Sequence, residues 1–129
     1  MSRYIPPELD TSINEQVLKC LEGLSAHSDV AEALTTAFEP LGDVQVFCPD
    51  SQQYLYVVAS TKGVIVAFAV EMNTICFRLD ERMKTRALAS GAAAYPDGGD
   101  HWVLFTLFRE DWPEVDLEFW ARKAYVAPP

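Results

Sequence analysis

The sequence predicts an α+β fold: a five-stranded, mainly antiparallel sheet with helices packed on one face, in the order α-α-β-β-β-β-α-β-α. Three observations lead there. Apolar residues recur at helical spacing up to residue 40 and then switch to a period of two. Three short connections follow in succession between residues 49 and 74, which favours a meander over βαβ crossovers of a dozen or more residues each. The run Val64–Val70 is apolar on both faces, as a central strand is. Half of the 129 residues are hydrophobic and 22% are charged. That balance supports one packed domain and excludes a disordered chain.

Each element has its own signal. Residues 1–10 read as an N-terminal arm, because Pro6-Pro7 cannot occupy a helix interior; residues 11–127 read as a single domain. Ser12 and Glu15 have the spacing of a capping box, and Ile13, Val17, Cys20, Leu21 and Leu24 follow at helical intervals to an end near residue 26. Asp29 and Glu32 repeat the pattern ahead of Val30, Ala33, Leu34, Ala37 and Phe38, and Pro40 and Gly42 stop that helix. Strands follow at 44–48, 53–59, 64–70 and 74–79, with turns at Pro49-Asp50-Ser51, Lys62-Gly63 and Met72-Asn73. Asp80 caps a helix over 81–90 that closes at Gly91. Residues 92–100 read as a loop and His101–Phe108 as the fifth strand, with Trp102, Leu104 and Phe108 opposite Val103, Phe105 and Leu107. Pro113 opens a last helix running to Val126. Val66, Phe68, Phe77 and Phe105 are the expected sheet interior.

Charge narrows the function classes. Nineteen acids against ten Lys and Arg give a net charge of −9, so attraction to nucleic acid or an anionic membrane is not expected. No apolar run approaches the roughly 18–20 residues of a membrane span. Met1–Pro7 does not read as a signal peptide, and a cytoplasmic location is expected. Cys20, Cys48 and Cys76 form no CxxC pair. They read as packed thiols, with Cys48, just before Pro49, the alternative as a nucleophile.

With the elements in order, residues 30–127 resemble the TfoX N-terminal domain family, a relative of the MmcQ/YjbR group. The resemblance rests on Phe38-Glu39-Pro40-Leu41-Gly42-Asp43-Val44, Ile75-Cys76-Phe77-Arg78-Leu79-Asp80, Arg86 through Ser90-Gly91 with Tyr95-Pro96, and Asp116 through Ala124 with its Trp120-Ala121-Arg122-Lys123 core. Val44–Pro49 stands where the family carries Arg-Met-Phe-Gly-Gly. The resemblance implies an antiparallel-sheet α/β fold and, for some members, a link to competence regulation or DNA binding.

Signatures of nucleotide, phosphate-loop, serine-hydrolase and zinc-protease sites are absent. His27 and His101 lie far apart in the chain. Glu110, Asp111, Glu114, Asp116 and Glu118 read as a solvated helix start, where carboxylates suit the dipole. Eight of the ten cations fall after residue 60. Arg78, Arg82, Lys84 and Arg86 are the candidate anion or partner site, the alternative being pairing with nearby acids. Phe119, Trp120 and Tyr125 are the candidate partner interface, since adjacent helical residues point about 100° apart and Phe119 and Trp120 cannot both face one core. The resulting expectation is a non-enzymatic binding or interaction module. Its partner is a second copy (a homodimer pairing at Tyr54–Ala59 or Trp102–Phe108), an unknown protein or a small anionic ligand. A DNA-associated regulator and a thiol-dependent enzyme are the alternatives. No metal or organic cofactor is expected.

Overall fold

Alternation from residue 45 produces β1 (Gln45–Asp50), β2 (Leu55–Ala59), β3 (Ile65–Val70) and β4 (Thr74–Arg78), each antiparallel to the next. The computed structural model describes residues 7–22, 24–50, 54–107 and 115–126. A two-residue strand, β5 (Ala93–Ala94), and β6 (Trp102–Thr106) complete a sheet in the order β1-β2-β3-β4-β6-β5. The sheet therefore has six strands, not the five the sequence predicts. Two alanines carry no alternation to read; they pair because β6 offers its outer edge, Ala93 to Leu104 and Ala94 to Val103. The order also places β2 between β1 and β3, so it is no edge strand, and β1 is the long open edge.

The four helices are α1 (Glu15–Cys20), α2 (Ser28–Phe38), α3 (Glu81–Ala89) and α4 (Leu117–Val126). They cover both faces of the sheet, where the sequence predicts one. On the first face α2, α3 and α4 bring Leu34, Phe38, Met83, Ala87 and Trp120 onto Val58, Val66, Ile75, Phe77, Val103 and Phe105. A chain of ring contacts crosses this core from Phe38 through Phe77 and Phe105 to Trp120, with centroids 5.2–6.3 Å apart. On the second face a helical turn, Pro7–Leu9, and α1 lay Leu9, Val17 and Leu21 over Val57, Ile65, Phe68, Cys76 and Trp102. Leu9 is buried, so this part of the expected arm belongs to the packing. The double cover follows from β3, all six of whose residues are buried. Val58 pairs with Ala67 but Ala59 with Ile65. The extra residue, Val66, is a bulge that sends two successive side chains, Val66 and Ala67, to the first face.

What holds α1 on the second face is Asn14. The chain enters α1 through a 3-10 turn, Ser12–Asn14; the Glu15 backbone N–H donates to the Ser12 carbonyl and Asn14 at the N-cap makes no side-chain cap bond, so the expected Ser12–Glu15 capping box is not used. The tighter turn rotates Ile13 outward and Asn14 inward, where it is 1% exposed. Its amide nitrogen donates to the carbonyls of Leu9 at 2.9 Å and Gly63 at 2.7 Å. Its amide oxygen accepts from the Ile65 backbone at 2.9 Å. The helix ends at Cys20, short of residue 26. The chain then rounds the end of the sheet, where Glu71 donates to Ser25 and accepts from His27, both at 2.6 Å. His27, rather than Asp29, caps α2 through Nδ1. Asp80 caps α3 as predicted. The helix start expected at Pro113 lies outside the described residues; Asp116 accepts from Phe119 in the first turn of α4. No helix among the described residues is long and apolar enough to cross a membrane.

Two substitutions test this account. Asn14→Ala strands three backbone groups at about 1–3 kcal/mol each before relaxation; a loss of roughly 3 kcal/mol in urea unfolding is expected, and a loss under 1 kcal/mol counts against Asn14 as the anchor. Gly98→Ala places a Cβ 2.9 Å from Cγ of the buried Trp102 ring. Overpacking there should cost about 1–3 kcal/mol, read as a lowered thermal midpoint.

Candidate functional site: an acidic groove and a cationic ring

α2, from Asp29 to Ala37, and the start of α4 line a groove of about 870 Å³. Its floor is apolar: Ala33 and Ala37 from α2, Val115 and Leu117 from the α4 side. Around it stand four carboxylates, Asp29 and Glu32 on α2 and Asp116 and Glu118 at α4. Helical spacing explains both sets. Ala33 and Ala37 are one turn apart on the flank of the buried Val30–Leu34–Phe38 stripe; Asp29 lies one turn before Ala33, and Glu32, exposed, one turn before Thr36 of the same lining. Small alanines leave the volume that leucines would fill. Asp116 is engaged as the cap of α4, and Asp29 stands 3.7 Å from Nδ1 of the capping His27. Glu32 and Glu118 are exposed. Of the acidic run seen in the sequence, Asp116 and Glu118 are described and line this groove; Glu110, Asp111 and Glu114 lie outside the described residues.

Of the four cations expected to act together, Arg82 and Arg86 stand one turn apart on α3, while Arg78 and Lys84 have other settings. Arg78 belongs to β4 and is only 7% exposed; burial lowers its pKa. Lys84 donates to the Asp100 carbonyl at 2.5 Å and ties α3 to the loop before β6. Arg82 is exposed on α3. Arg86 sits 5.1 Å from the ring centroid of Phe119, and Lys123 sits 5.4 Å from the same centroid. Lys123 is a partner that the cluster at 78–86 does not disclose, because α3 and α4 reach the Phe119 ring from distant parts of the chain.

The aromatic expectation divides in the same way. Trp120 is 5% exposed and stacks on Phe105, which makes it core and removes it from a partner surface. Phe119 is half-buried, edge-on to Trp120 with centroids 4.9 Å apart. Tyr125 is half-buried.

The cysteines fall in three settings. Cys48 is half-buried on β1, hydrogen-bonded to Tyr56. Cys76 is buried, and burial holds its pKa well above the ordinary thiol value. Burial also pushes the half-buried Cys20 thiol up to about 11, partly offset by its hydrogen bond with Tyr95. Tyr95 is itself raised, first by burial and then by the neighbouring thiols. All three groups belong to the second face. Their neutral forms are favoured in the fold, so the unfolded chain, whose thiols ionise near 9, releases protons first as pH rises. Stability should hold below pH 9 and fall between 9 and about 11. Urea midpoints across that range should decline less steeply for Cys20→Ala; an unchanged slope sinks the assignment.

Comparison of the chain with protein-family models, curated proteins and solved structures yields no match.

Proposed function

We propose that the protein is a non-enzymatic binding module whose groove between α2 and α4 holds a cationic, partly apolar segment of a protein partner. The observation that carries this reading is the union of an apolar floor with four rim carboxylates in one groove. An apolar floor rewards burial of aliphatic side chains at about 25 cal/mol per Å². The rim then selects for Lys or Arg at the edges and against acidic or phosphate-rich partners. The net charge of −9 adds the same preference at longer range. Burial raises the Cys20 and Cys76 thiols, which disfavours those two as nucleophiles, since the thiolate is the reactive form. The resemblance to the TfoX N-terminal domain family enters as a kinship of layout; the acidic surface speaks for a protein ligand over the DNA link of some members.

A fluorescent amphipathic Leu/Lys peptide tests the reading by anisotropy. Saturable binding that weakens with salt is expected, and a Leu/Glu peptide and duplex DNA should not bind. Glu32→Gln with Glu118→Gln should weaken the Leu/Lys peptide roughly three- to tenfold, as two exposed charges at about 0.5 kcal/mol or more each imply. Ala33→Trp, which fills the floor, should abolish binding. Affinity unchanged in both variants, or duplex DNA bound more tightly than the peptide, overturns the proposal.

A further inference from the structure

Arg86 comes from the last turn of α3 and Lys123 from the last turn of α4. Both charges lie against the ring of Phe119, at 5.1 and 5.4 Å from its centroid. The ion pairs among the described residues, Lys19–Glu15 and His27–Asp29, involve neither of them. A cation lying against an aromatic ring exchanges part of its hydration for the ring face, so less water must be displaced when an anion approaches. The guanidinium offers a planar fork of donors and the ammonium a mobile point charge.

We infer that Arg86 and Lys123, seated on Phe119, form a binding site for a phosphomonoester group. A phosphomonoester carries close to two negative charges and three acceptor oxygens near neutral pH, which matches two cations and their donors better than a carboxylate does. The site is separate from the groove. Glu118 lines the groove, while Phe119, the next residue, points about 100° away round the helix. The net charge of −9 restricts the site to a small phosphate-bearing ligand or a phosphorylated side chain, because a polyanion meets the whole acidic surface as it docks.

Amide chemical-shift titrations of the intact chain at constant ionic strength test the site, with inorganic phosphate in one arm and a Gly-phosphoserine-Gly peptide in the other. Saturable shifts at Arg86, Phe119 and Lys123 are expected in at least one arm. Equal affinity in the two arms assigns the free phosphate group, and tighter peptide binding assigns a phosphorylated side chain. Arg86→Gln and Lys123→Gln should each weaken binding roughly three- to tenfold. Arg82→Gln, one turn away and equally charged, should leave it unchanged. Non-saturating shifts spread over the surface, or a loss with Arg82→Gln equal to that with Arg86→Gln, overturn the inference. Neither result bears on the Leu/Lys peptide and its groove.

Discussion

A strand that is apolar on both faces imposes the same demand on every element around it, and β3 is such a strand. All six of its side chains are buried, and an antiparallel sheet centred on it loses that burial unless both faces are covered. The meander supplies neighbours within the sheet but no cover. On the first face α2 and α4 cross the sheet, with α3 packed beside β6. On the second face only the N-terminal turns and α1 are available, and α1 has six residues. A helix that short is marginal on propensity alone. The three hydrogen bonds of Asn14 to Leu9, Gly63 and Ile65 therefore do what helix length cannot. They fix the segment to the sheet beside the Val66 bulge.

Much of this was legible from residue order. Val64–Val70 announced a central strand, Asp80 and Gly91 bounded α3, and Trp102, Leu104, Val103 and Phe105 were assigned to the faces they occupy. The double cover was implicit in the two-sided burial expected of Val64–Val70. It was missed because the Val17–Leu21 stripe carries no mark of which face it meets. Asn14 was invisible for a related reason. A single polar residue in a helical stripe reads as solvent-facing until a 3-10 turn rotates it inward. Ala93 and Ala94 form a strand only because β6 lies beside them, which is a property of the partner.

The functional surfaces were harder to read, since each joins residues far apart in sequence. The groove joins Ala33 and Leu117, and the cationic ring joins Arg86 of α3 to Phe119 and Lys123 of α4. Sequence proximity favours Arg78, Arg82, Lys84 and Arg86 as a set, yet β4 buries the first and Lys84 is tied to the Asp100 carbonyl, leaving Arg82 and Arg86 one turn apart on α3. Phe119 and Trp120 show the principle that did transfer: neighbours on a helix part by about 100°, so one ring enters the core and the other meets the surface.

The anchoring of α1 also has a consequence in time. Two of Asn14's partners, Gly63 and Ile65, lie 49 and 51 residues further along the chain. A ribosome adding about 5–20 residues per second completes that stretch only seconds after Asn14 has been made. The N-terminal segment thus emerges first and docks late, once the β2–β3 hairpin exists to receive it. Until then the second face of the nascent sheet, with Phe68 and Cys76, stands open to whatever else is nearby. The order of synthesis, and not only the strength of the final contacts, sets how long this chain is exposed to mispairing.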